Sequence, residues 1–172
     1  PYYICKDFRN LYTHFYSKKV IDRPFYCVRL HFFTCEKDDI EKQYNNSFCS
    51  AVVQCSKETQ DGYIGYSVIQ PVPHACIGRT VMDPSMLGKD IKKYYCLKTP
   101  FHSTIHGAKY KINGYPYRSQ SNEVTVCAHA AVWGACRYLS ERYSGYKEVY
   151  PYDLVNMTGD TRGRKYPYRG LT

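Results

Sequence analysis

Nine cysteines are scattered through the 172 residues, and one of them stands where a sulfur gains most from its backbone. Cys127 lies in the stretch SQSNEVTVCAHAAVWGACRYLSERY, residues 119–143, which carries the clearest helical pattern in the chain. Val132, Cys136, Leu139 and Tyr143 recur at helical spacing, and Cys127, Ala131, Gly134 and Tyr138 make a second face, mostly of small residues. The pattern predicts a helix buried on two sides. Thr125 is a candidate N-cap, which puts Cys127 in the first turn. There, unpaired backbone N–H groups and the positive end of the helix dipole favour a thiolate over a thiol. A thiolate so placed is a nucleophile for a carbonyl carbon. The same residue also reads as a small buried hydrophobe, a metal ligand or a disulfide partner.

Seven residues upstream stands Gln120. A glutamine followed, within one strand-to-helix turn, by a cysteine and then an Ala-rich helix resembles the active-site entry of papain-like cysteine peptidases. The resemblance is nearest to the bacterial branch related to bacteriocin-leader peptidases. The run Tyr166-Pro-Tyr-Arg-Gly-Leu-Thr172 is similar to the segment leading into the next helix of such domains, so the likeness spans residues 115–172. It implies that Cys127 is the nucleophile and Gln120 the side-chain oxyanion donor, with the Cys127 backbone N–H completing the hole. It also implies a peptide or protein substrate and no cofactor. Ala128 follows the cysteine, where the family often has glycine.

The family's histidine, with its orienting Asn or Asp, lies well beyond the cysteine, whereas no histidine follows His129 in this stretch. His129 cannot take the role, because two residues along a helix turn a side chain by about 200°. The expectation is a longer hydrolase whose histidine lies past Thr172. The alternative is a permuted arrangement in which His102 or His106 folds back.

Two other groupings suggest chemistry more weakly. His102 and His106 have the spacing of a metal pair on a helix, but Gly107 and the neighbouring Ser and Thr favour loop and strand, and no metal site is expected. Gly78-Arg79-Thr80 has the residues to hold a phosphate or carboxylate. Without a complete Gly-rich loop, a turn followed by a strand accounts for it better.

The composition, 44% apolar and 23% charged, is that of a folded protein, and no apolar run approaches the roughly 20 residues of a membrane span. The cysteines show no C-x-x-C pair, which favours reduced thiols in a cytoplasmic compartment over a disulfide frame or zinc knuckle. A net charge of +9 with 20 tyrosines makes a basic, aromatic nucleic-acid binder a rival. The clusters Lys18-Lys19, Lys92-Lys93 and Arg162 to Arg169 are separate, so a peptide substrate is preferred over nucleic acid. A binding or scaffold module with a vestigial site is the other rival. The oligomeric state is left open.

The elements that must position Cys127 follow from periodicity. Ile4, Phe8, Leu11 and Phe15 predict an amphipathic helix over residues 3–17. Tyr26, Val28, Leu30 and Phe32 alternate as the buried face of a strand over residues 25–34. A polar helix over 36–44, strands over 50–56 and 63–72, a turn and strand over 74–82, and a helix entered at Asp83-Pro84 and running to residue 93 come next. Strands over 94–98 and 104–112 lead to Asn113-Gly114, a strong hairpin signal. The hairpin delivers the chain to Gln120 as a rigid platform. The expected class is α+β: a mainly antiparallel β region with peripheral helices over residues 1–95, then residues 96–172 as the first part of a papain-like hydrolase domain with its buried central helix.

Overall fold

A computed structural model describes residues 2–19, 22–34, 63–86, 95–105, 108–121 and 127–157. Among the described residues the architecture is mixed α+β, an antiparallel five-stranded sheet with three helices. In chain order the elements are α1 (Lys6–His14), β1 (Val28–Phe33), β2 (Tyr63–Ile69), β3 (Ile77–Met82), β4 (Thr99–Ile105), β5 (Ala108–Tyr117), α2 (Cys127–Arg142) and α3 (Pro151–Met157). The strands lie in the order β1-β2-β3-β5-β4. The chain divides into two compact units, one of Pro1–Leu30, Ser67–Thr80 and Pro116–Thr172, the other of His31–Tyr66 and Val81–Tyr115.

In the first unit α1 forms because Phe8 and Leu11 fall three apart and are sealed on one face, with Phe15 buried just past its end. Ile4 lies before the helix and is exposed, so the predicted helix is shorter at its start than its pattern. Cys27 and Tyr3 exchange backbone hydrogen bonds of 2.9 and 2.7 Å, which ties the stretch before α1 to the approach to β1. Helix α3 is held on α1 by a side-chain clasp. Asn10 donates to Asp153 Oδ1 at 3.1 Å and accepts from the Tyr152 N–H at 2.9 Å, while the Tyr152 ring stacks on His14 with centroids 4.5 Å apart.

The second unit is built on the β4–β5 hairpin, paired antiparallel with Phe101 opposite Ile112 and Thr99 opposite Gly114. Phe101, Ile112, Val81 and Tyr110 are buried. Tyr63 stacks its ring 4.7 Å from Tyr110 and 5.0 Å from Phe33. Its hydroxyl is 2.6 Å from His31 Nδ1, which satisfies the polar end of an otherwise apolar ring.

Four sequence expectations are overturned. Asn113-Gly114 is no turn: both residues lie inside β5, paired with Pro100 and Thr99, and the chain reverses between Ile105 and Ala108. Residues 95–98 form no strand. The alternation in β1 is real but inverted, since Val28, Leu30 and Phe32 face outward and Arg29, His31 and Phe33 are the more covered set. Helix α2 is not buried on two sides. Its covered face is His129, Trp133, Gly134 and Tyr138, while Ala131, Val132 and Tyr143 are exposed. Three aromatic or imidazole rings at positions i, i+4 and i+9 bury more area than the aliphatic stripe that competes with them. The predicted helix at 36–44, the strand at 50–56, the Thr125 cap and the run Tyr166–Thr172 lie outside the described residues.

Candidate functional site

Cys127 is the first described residue of α2 and is exposed. Gln120 is also exposed, in the irregular segment after β5. Its neighbour Ser119 anchors that segment, donating to the Ile77 carbonyl from the backbone N–H at 2.9 Å and from the hydroxyl at 2.7 Å. Both predicted groups are therefore open to solvent at the two ends of the same connection. Among the described residues no hydrogen bond links them, and residues 122–126 between them lie outside the description.

Among the described residues, other cysteines differ from Cys127 in burial or in position. Cys5 and Cys27 are buried. Burial, and then the nearby Asp7 carboxylate, push the Cys5 thiol up. Burial, and then Cys5, push Cys27 up to about 12. Neither sulfur is a nucleophile at neutral pH, because the thiolate is the reactive form. Cys76 and Cys96 are exposed as Cys127 is, but neither opens a helix. His129 is buried on the covered face of α2, where desolvation lowers its proton affinity. His102 sits on β4 opposite Lys111, and His106 is outside the description. Among the described residues no group of three or more His, Cys, Asp or Glu side chains is placed to hold a metal. No described helix is long and apolar enough to cross a membrane.

A second assembly in the same unit went unanticipated. Arg79, on β3, donates from Nε to Asp7 Oδ2 at 2.9 Å and from Nη2 to Asp7 Oδ1 at 2.8 Å. Asp7 is wholly buried on the first turn of α1. Arg79 also reaches Glu148 Oε1 at 2.6 Å. Glu148 is shared with Arg137 of α2 at 3.3 Å, and Arg137 pairs with Glu141 one turn on. Burial works against the Arg79 cation, but Asp7 and then Glu148 more than offset it and hold the guanidinium charged.

Beside this network the Trp133 ring carries two cations, with Arg79 Cζ 5.9 Å and Arg118 Cζ 5.6 Å from its centroid. Gly78-Arg79-Thr80, for which the sequence favours a turn and strand over an anion site, lies on β3, and its arginine is held by the chain's own Asp7. No motif marked Arg118.

Compared with known proteins, the chain matches no family model, no curated protein and no solved structure.

Proposed function

We propose that this chain carries the nucleophile half of a papain-like thiol hydrolase acting on peptide or protein substrates in a reducing cytoplasm. One observation carries the proposal: Cys127 is solvent-exposed at the first described position of α2, a regular helix over 127–142. A nucleophile must meet both conditions, access for substrate and first-turn N–H groups nearby. Gln120 is exposed at the far end of the same connection, which leaves its amide free to donate.

In the reaction the Cys127 sulfur attacks a substrate carbonyl carbon. The negative charge that builds on the carbonyl oxygen is met by the Gln120 amide and the Cys127 N–H. The C–N bond then breaks with a proton delivered to the leaving amine, and water releases the acyl group from sulfur. The proton carrier is a histidine that the family resemblance puts C-terminal to the cysteine. His129, buried and on the opposite side of α2, does not serve.

Thiol alkylation tests the proposal. With iodoacetamide at pH 6, Cys127 is expected to react at least tenfold faster than Cys76 and Cys96, which share its exposure. Equal labelling of the three sulfurs sinks the nucleophile.

A further inference from the structure

Arg118 follows β5 immediately and is only 5% exposed. Its Nε and Nη1 are buried with no hydrogen-bond partner. The Asp7 carboxylate is engaged through both oxygens by Arg79 and makes no hydrogen bond to these two nitrogens. Beneath the guanidinium, the Trp133 indole N–H is likewise buried without a partner. Of the two arginines on this ring, Arg79 is engaged by Asp7 and Glu148, whereas two donors of Arg118 and the indole N–H are idle. Burial lowers the proton affinity of Arg118, yet a guanidinium stays charged throughout the accessible pH range. A buried charge with idle donors is costly, and folded proteins compensate it.

From this geometry we infer that Arg118, resting on Trp133, is the binding point for one small oxyanion, a carboxylate or a phosphate group. A planar guanidinium with free donors suits two or more oxygens held in fixed relation, which a point anion such as chloride does not supply. The site is independent of Cys127, so failure of the hydrolase proposal leaves it standing and the reverse also holds.

Trp133 is the only tryptophan, so its emission reports on the site without engineering. Sodium phosphate or sodium acetate titrated into the full chain, with ionic strength held by sodium chloride, is expected to change that emission saturably. Calorimetry then gives one anion per chain, and the preferred anion tells phosphate from carboxylate. At about a hundredfold excess over the dissociation constant the unfolding midpoint rises by roughly 5–10 °C. Arg118→Met abolishes the response, and Arg118→Lys weakens it by at least tenfold. The inference is overturned if neither anion gives a saturable change in the wild type, or if binding survives in Arg118→Met. Should Arg118→Met fail to fold, the wild type alone decides. The Arg118 Nε–H resonance shifts along a saturable curve when the anion binds there, and an unmoved resonance refutes the site.

Discussion

Asp7 shows how little of an ion pair's weight is visible in its distance. Its carboxylate is wholly buried and doubly bonded to Arg79, whereas Lys6, one residue earlier, reaches Glu148 at 3.8 Å with most of its side chain in water. A buried pair broken on one side leaves an uncompensated charge, which costs roughly 3–5 kcal/mol, while an exposed pair is worth about 0–1 kcal/mol. Asp7→Asn is therefore expected to lower unfolding stability by roughly 3–5 kcal/mol in urea titration. Lys6→Ala should change it by about 0.5 kcal/mol or less. Similar losses from the two substitutions would mean that the interior network is not what binds α1 to β3. Neither the pairing nor its depth was legible in the sequence. Asp7 and Arg79 are 72 positions apart, and an aspartate in the first turn of a helix is as readily explained by the dipole alone.

Among the secondary structure elements, what the sequence made legible was the presence of periodic segments, and what it concealed was which residues reverse the chain. The helix over 127–142 and the strand over 77–82 were readable because local pattern and tertiary burial agree there. The hairpin failed because glycine has two uses, turning the chain and letting another backbone come close. At Gly114 the second applies. A Cβ there would lie 2.5 Å from the Met82 carbonyl oxygen and 3.0 Å from Val81 Cγ1, on the adjacent strand β3. Among the described residues the positive-φ glycine is Gly65, not Gly114. Since a backbone carbonyl cannot step aside as a flexible side chain does, Gly114→Ala is expected to cost about 1–3 kcal/mol in chemical denaturation. The neighbouring Asn113→Ala, at an exposed position, should be nearly neutral. The reverse ranking would restore the turn. The helix face went wrong for a related reason: an aliphatic stripe, Val132 to Tyr143, looked like the core, but Trp133 and Tyr138 take that place because rings bury more area per residue.

For the molecule as a whole, the two sealed thiols make stability depend on pH in a way that net charge alone does not predict. With a formal charge of +9, raising the pH relieves self-repulsion and should strengthen the fold. Cys27 acts in the opposite direction. Its folded-state pKa is pushed up to about 12 from an ordinary value of 9.0, so the folded protein keeps a proton that the unfolded chain gives up. The stability this contributes is complete below pH 9 and is lost as pH rises toward 12. Between pH 9 and 10 the loss is about 1 kcal/mol, since each pKa unit corresponds to about 1.4 kcal/mol and the unfolded thiol is only partly ionised at the start of the interval. Cys5, raised in the same direction, adds to it. Comparing the wild type with Cys27→Ala removes the charge-repulsion contribution, which both share. Urea titrations at pH 9 and pH 10 should therefore show the wild type losing about 1 kcal/mol more than the variant. Parallel losses would mean that the Cys27 sulfur reaches solvent, and that the seal made by the Tyr3–Cys27 backbone pair is open in solution.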